Sequence, residues 1–206
     1  EFTKSFAFRM KTDSERKLTR NTGFYEKTSK LTRNFVDARG FWLPNDYTKH
    51  GIMNEYTACR EKAVIIDLSS LRKFEILGPD AEELMNYTLT RNIKKLSVGQ
   101  VVYSSMCYEN GFMFDDGTLL KLSDHGFRWI CGDEYAGEWL KEQAKKKNYK
   151  VLIKNSTDQI NNISLQGPNS RKILEKLIFT PPTQPKISEL EWFRFTICRI
   201  EDLNGI

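Results

Sequence analysis

The sequence predicts an α+β fold built from two related halves, each a sheet with helices on one face. The main observation is a repeated segment. KFEILGPDAEELMNYTL (73–89) and NISLQGPNSRKILEKL (162–177) both predict a strand, a Gly-Pro turn, a capping residue and an amphipathic helix. The second observation is size and composition, because 206 residues with 39% apolar and 12% aromatic content are enough to bury a core.

The other elements follow from hydrophobic periodicity and turn residues. FWLPNDY (41–47) predicts a structured loop, MNEYTACREKA (53–63) a helix and VIIDLSS (64–70) a strand. Asp80 and Asn169 are predicted to cap the two repeated helices. The pattern also predicts a helix at 134–147, a rigid linker at 181–185, and strands at 101–108, 118–122, 127–131, 149–153 and 192–200. Because no closing element follows the last strand, we expect an incomplete piece of a longer protein.

Charge divides the chain into a basic N-terminal extension (1–35) and a folded domain (36–206). Residues 1–35 hold nine Lys or Arg against four Asp or Glu, which accounts for the whole net charge of +5. No zinc-finger, RRM or KH pattern is present, so we expect no nucleic-acid partner. No run of about 18 apolar residues and no apolar signal segment occurs, so we expect no membrane partner.

Cysteines and histidines predict neither disulfides nor a metal site. The four cysteines lie far apart without a CxxC pair, and buried reduced thiols are the favoured interpretation. The two histidines, His50 and His125, have no partner at ligand spacing. There is also no GxGxxG and no P-loop.

The segment ENGFMFDDGTLLKL (109–122) places two carboxylates side by side, Asp115 and Asp116. One interpretation is a turn, because Asp accepts local backbone hydrogen bonds and Gly117 tolerates positive φ. The other is proton handling beside an apolar wall formed by residues 112–114. Along a strand the two side chains would point to opposite faces, so at most one would enter a pocket.

The ordered set of motifs resembles the folate-binding domain of the glycine-cleavage T-protein (aminomethyltransferase) family. The resemblance runs over about residues 38–178 through FWLPNDY, DLSSL, GPDA, VVYSSMCYENGFMFDDG and LQGP. It implies the two-half fold and tetrahydrofolate as cofactor. It further implies that Asp115 lies near N5 of the pterin as the catalytic carboxylate, that Tyr103 and Leu71 line the cofactor site, and that Asp116 supports the turn.

The chain departs from that family's pattern at several positions. Leu71 stands where the family has methionine, Ser70 where it has histidine, and Phe112 where it has a second glycine. Gly132 occupies the position of an asparagine in the cofactor site, which removes one amide that would bond the pterin. These changes leave the exact reaction open.

Three functions remain open from the resemblance. The first is transfer of an aminomethyl group from a lipoyl carrier protein to tetrahydrofolate. The second is a folate-dependent demethylase, or the folate module of an amine oxidase of the sarcosine or dimethylglycine type. The third is a non-catalytic folate-binding protein. The implied compartment is a bacterial cytoplasm or a mitochondrial matrix.

Overall fold

A computed structural model describes residues 19–200. The predicted N-terminal arm up to residue 18 and the last six residues lie outside this part. The chain divides into two compact units. The first spans Glu1–Ser70 and Asn161–Ile173, and the second spans Leu71–Ile160 and Leu174–Ile206.

The elements up to residue 67 are short. In chain order they are β1 (Arg20–Asn21), α1 (Tyr25–Thr28), β2 (Phe35–Ala38), β3 (Phe41–Pro44), α2 (Gly51–Glu61) and β4 (Val64–Asp67).

Longer elements follow in the middle of the chain. They are β5 (Arg72–Leu77), α3 (Ala81–Thr88), β6 (Val101–Cys107), β7 (Met113–Ser123), β8 (Gly126–Cys131), α4 (Tyr135–Lys147) and β9 (Leu152–Asn155). The described part ends with β10 (Ile163–Gln166), α5 (Ser170–Leu177), β11 (Ile178–Phe179) and β12 (Arg199–Ile200).

The second unit contains a five-stranded antiparallel sheet in the order β6-β7-β8-β5-β9. One face of this sheet carries the core, because apolar residues alternate along each strand and meet the apolar stripes of α3 and α4. The fully buried core side chains include Ile76, Leu84, Trp129 and Leu140. The other face carries the half-exposed Tyr103 and the fully buried Lys73.

The first unit contains two smaller sheets. One has the order β1-β3-β2, and the other pairs β10 with β4 in an antiparallel ladder. The predicted α+β class, with a strand, a Gly-Pro turn and a helix in both repeats, is confirmed by β5–α3 and β10–α5. Residues 20–34 of the predicted extension contain β1 and α1, and its boundary at residue 35 stays a prediction.

Several local predictions were wrong. FWLPNDY is not all loop, since Phe41–Pro44 forms β3 and pairs with β2. The strand expected at 192–200 is limited to Arg199–Ile200. The Asp80 side chain does not cap α3; its Oδ2 accepts the Lys150 backbone N–H at 2.6 Å instead. It thus ties the start of α3 to the segment before β9.

Candidate functional site

The two aspartates lie inside strand β7, so the prediction that FDDG forms a turn was wrong. The turn lies earlier, where the Tyr108 N–H donates to the Phe112 carbonyl at 2.8 Å. Met106 of β6 is opposite Asp115, and Ser105 is opposite Asp116, after a bulge next to Cys107. Asp115 therefore shares the core-facing side with the buried Met106, and Asp116 lies on the opposite face.

Main-chain donors surround the Asp115 carboxylate. Oδ1 accepts the N–H groups of Asp116 (2.9 Å) and Gly132 (3.3 Å). Oδ2 accepts the N–H of Asp133 (3.0 Å). The residue is only 9% exposed. A carboxylate offers about four acceptor sites. Three of them are used, and the two bonds from Gly132 and Asp133 hold the end of β8 against the start of β7.

The thiol of Cys131 lies beside this carboxylate. Burial, and after it the negative charge of Asp115, raise the pKa of Cys131 far above its usual range. The thiol donates to the Asp133 carbonyl at 3.5 Å. It is a protonated, buried group and not a nucleophile.

Asp116 forms a pair with Tyr103 on the exposed face of the sheet. The Tyr103 hydroxyl donates a short hydrogen bond to Asp116 Oδ2. Tyr103 is 49% exposed. The hydrogen bond to Asp116 is the largest cause that raises the pKa of the Tyr103 phenol above its usual value. The phenol therefore remains a donor at neutral pH and orients the carboxylate, while its ring stays accessible.

Three of the four residues predicted for the cofactor site lie at one end of the sheet, and Tyr103 lies further along β6, opposite Thr118. Cys131 is opposite both Arg72 of β5 and Gly117 of β7. Leu71 directly precedes Arg72, Gly132 directly follows Cys131, and Asp115 lies two residues before Gly117. The backbone of Gly132 contacts Asp115, and Tyr103 contacts Asp116 instead of Asp115. Leu71 is half-buried.

The apolar wall expected around the aspartates is absent from the site. Phe112 and Met113 are 72% and 60% exposed. Phe114 packs instead against Tyr108, with ring centroids 4.7 Å apart, and against Trp139 at 5.5 Å. The bulge turns Phe114 toward the core, so this ring packs in the core and does not line the exposed face of the sheet.

Fold and site define the class of protein: an α+β domain with an exposed tyrosine–carboxylate pair on the open face of an antiparallel sheet. The GCVT N-terminal domain family model matches residues 24–205. The chain belongs to this family.

Two curated relatives show that proteins similar to this chain have different activities. A trimethylamine-oxide aldolase of Ruegeria pomeroyi is 51% identical over 100% of this chain and 26% of its own length. An aminomethyltransferase of Natranaerobius thermophilus is 30% identical over 90% of this chain and 48% of its own length. The chain thus spans about a quarter of the first relative and about half of the second. Both relatives are named as enzymes.

A solved structure shows the same fold. The crystal structure of glycine cleavage system aminomethyltransferase T from Bartonella henselae superposes with a TM-score of 0.70 at 24% identity. The match covers 85% of this chain and 46% of that chain. Within residues 19–200, no helix combines the length and apolar character needed to cross a lipid bilayer.

The Tyr103–Asp116 pair fits the cofactor that this family implies. A pterin is a flat ring system with N–H donors along one edge, and it requires a stacking surface and an acceptor. Tyr103 offers an accessible ring, and Oδ1 of Asp116 accepts no hydrogen bond from residues 19–200. These two residues therefore offer what a flat ring with N–H donors, such as a pterin, requires.

Proposed function

We propose that this chain is a tetrahydrofolate-binding module that takes up a one-carbon unit released from a methylated amine. The Tyr103–Asp116 pair supports the folate part, because it combines an accessible ring with a pre-oriented carboxylate. The observation that carries the choice of donor is the 51% identity, over 100% of the chain, to a trimethylamine-oxide aldolase.

The proposed donor chemistry balances without an external oxidant. Cleavage of one methyl group of trimethylamine oxide as formaldehyde leaves dimethylamine, so the carbon is oxidised and the nitrogen is reduced. When bound, tetrahydrofolate would supply two amine nitrogens that together take up a carbon at the oxidation level of formaldehyde, with loss of the carbonyl oxygen as water that carries the two displaced N–H protons. The cleavage itself would belong to other parts of such an enzyme, since the chain spans only 26% of the aldolase.

In this proposal, residues on the exposed face of the sheet bind the pterin, orient the Asp116 carboxylate and accept a proton. The Tyr103 ring packs against the pterin and its hydroxyl fixes Asp116 Oδ2. The remaining oxygen, Oδ1, accepts an N–H of the pterin and takes the proton that an amine nitrogen loses when it forms a bond to carbon. Leu71 and Gly132 lie at the end of the sheet, where they can border the ring.

The catalytic role that the resemblance implied for Asp115 passes in this proposal to Asp116. Three main-chain N–H groups already use the Asp115 carboxylate, which lies on the core side of β7. Asp115 becomes a positioning residue, because it holds residues 132–133 against the strand that carries Asp116.

A second candidate is aminomethyl transfer from a lipoyl carrier protein. It is favoured by several relatives named aminomethyltransferase, such as one from Symbiobacterium thermophilum that is 32% identical over 84% of this chain. The same Tyr103–Asp116 pair would serve it, so the two candidates differ in the donor and not in the folate site.

Isotope tracing separates the two candidates. The longest natural polypeptide that contains this chain is supplied with tetrahydrofolate and methyl-¹³C trimethylamine oxide, with an aldehyde trap in the solution, and ¹³C NMR follows the label. We expect label in the folate product for the wild type, and label in the trap for Asp116→Asn. Label that reaches folate only from an aminomethylated lipoyl carrier would support the second candidate and overturn the first.

A further inference from the structure

The outer edge of β6 has main-chain partners on both sides of Tyr103. Toward the end of the strand, the Thr90 N–H donates to the Ser105 carbonyl at 3.1 Å. At the start of the strand, the Val101 N–H donates to the Phe193 carbonyl at 2.8 Å. Main-chain groups alternate between the two edges of a strand, so those of Tyr103 point to this same edge. Within residues 19–200 they have no main-chain partner there, and the edge has a gap at Tyr103.

The side chain of Arg91 lies at this gap. Its Nε donates to the Tyr103 carbonyl at 3.3 Å, which holds the guanidinium beside the residue that we assign to the pterin. Arg91 is exposed, and its two terminal nitrogens have no partner among residues 19–200. Two terminal nitrogens side by side form the fork that binds a carboxylate through two parallel hydrogen bonds.

Arg91 begins a segment that carries only positive charge. Residues 91–97, the basic loop, contain Arg91, Lys94 and Lys95 and no acidic residue. Lys94 Nζ pairs with Glu83 at 2.5 Å. Lys95 is exposed, and in the described part of the chain its side chain has no partner. One of the three charges is therefore compensated, and two remain available to an anion.

Contacts with the core and with a second segment fix the backbone of the basic loop. Ile93 and Leu96 are 0% and 9% exposed, and the Ile93 N–H donates to the Asn86 side-chain oxygen at 2.9 Å. From the segment after β11, Arg194 Nη1 donates to Ser97 Oγ at 2.7 Å and brings a further positive charge to the loop. A backbone that is already ordered loses little entropy on binding, so these charges are preorganised for a ligand.

We propose that the gap at Tyr103 and the basic loop form an anion site that binds the carboxylates of a folate's glutamate tail. Arg91 binds the first carboxylate, and Lys95 and Arg194 attract those of further γ-glutamyl residues. This inference rests on the proposed function, because it requires the pterin of the same molecule to lie against Tyr103. The chemical class of the ligand is thus a tetrahydrofolate with a tail of several glutamates.

The spacing across the sheet fits such a ligand. The segment that contains Arg91 pairs with β6, and β6 pairs with β7, which carries Asp116. Two strand spacings, about 10 Å, therefore separate the two segments. The methylene, amine, benzene and amide groups between a pterin and its first glutamate also span about 10 Å at standard bond lengths. A pterin N–H on Asp116 therefore leaves the first carboxylates of the tail within reach of Arg91.

Calorimetric titration with three ligands tests this inference. The longest natural polypeptide that contains this chain is titrated with pentaglutamyl tetrahydrofolate, with monoglutamyl tetrahydrofolate and with 6-methyltetrahydropterin, which has no tail. Arg91→Gln should weaken the binding of both tailed ligands about tenfold or more and leave the affinity for the tailless pterin unchanged. Lys95→Gln should weaken the pentaglutamyl form about threefold, because an exposed charge contributes less.

Lys94→Gln is the matched control, since it removes the same charge from the same loop. Because its amine already pairs with Glu83, the affinity for each ligand should change by less than about twofold. Thermal unfolding of each variant shows whether the fold is retained. Lys95→Gln keeps the inference testable if Arg91→Gln unfolds, because the Lys95 side chain has no contact partner within residues 19–200.

The outcomes separate this inference from the proposed function. Wild-type affinities that are equal for tailed and tailless ligands, or a preference for the tail that Arg91→Gln retains, would overturn the anion site and leave the pterin site in place. Equal losses in Arg91→Gln and Lys94→Gln would also overturn it, because net charge alone would then explain the effect. If the folded wild type binds none of the three ligands, the proposed function fails, and the anion site fails with it.

Discussion

Replacing Asp115 by alanine should destabilise the sheet much more than the same change at Asp116. The substitution leaves the N–H groups of Asp116, Gly132 and Asp133 without their acceptor. A hydrogen bond to a charged group contributes about 1.5–3 kcal/mol, and less where water can replace the lost acceptor, as at the exposed Asp133. Two of these bonds are short and the Gly132 bond is long, so we expect a loss of about 3–5 kcal/mol in the free energy of unfolding.

Urea unfolding followed by tryptophan fluorescence measures this loss, because Trp129 and Trp139 lie in the core of the same unit. With an m value of about 2 kcal/mol/M, the midpoint should fall by about 2 M. Asp116→Ala is the matched control: it removes one exposed side-chain bond to Tyr103 and should cost about 0.5–1 kcal/mol. An Asp115→Ala midpoint within about 0.3 M of wild type, at unchanged m, would refute the structural role of this carboxylate.

Three further predictions follow from the contacts. Gly78→Ala should lower the free energy of unfolding by about 2 kcal/mol or more, because its Cβ would lie 2.4 Å from a carbonyl oxygen. Gly99→Ala is the control: its Cβ meets no atom within 4 Å, so the loss measured by thermal unfolding should be about 1 kcal/mol. Cys131 should resist alkylation at pH 8 in a mass-spectrometric assay, because its pKa is raised, while the exposed Cys198 reacts. Asp116→Asn should lower the pKa of Tyr103 toward about 10 in a ¹³C NMR titration. Folding raises the Tyr103 pKa, so the hydrogen bond to Asp116 contributes to the free energy of unfolding below about pH 10. This contribution is lost as the pH rises through the pKa of the folded state.

Periodicity and turn residues predicted much of the fold. The sequence predicted strands β5 and β10, the Gly-Pro turns and the helices after them, because each of these follows a local pattern. The cap assigned to Asp80 failed, because its carboxylate bonds the Lys150 backbone, a contact between residues 70 positions apart. Local patterns do not encode such long-range partners.

The sequence predicted a site at the Asp115–Asp116 segment, and that site stays a prediction; the face of the sheet that each aspartate takes could not be predicted. Cys107 is opposite Met113, and continuing that register would place Asp115 on the same face as Tyr103. One bulged residue shifts the pairing, so that Asp116 faces Tyr103 and Asp115 turns to the core. No residue type in this segment marks the bulge. A one-residue irregularity therefore decides which carboxylate lies on the exposed face of the sheet.

Calorimetric titration of tetrahydrofolate tests the central claim most directly. The titration uses the longest natural polypeptide that contains this chain, as wild type, Asp116→Asn and Tyr103→Phe. We predict saturable one-to-one binding for the wild type, and binding at least about tenfold weaker for Asp116→Asn, since loss of a charged hydrogen bond costs about 1.5–3 kcal/mol. Equal affinity of wild type and Asp116→Asn, or no binding by the folded wild type, would contradict the assignment of the folate site to the Tyr103–Asp116 face.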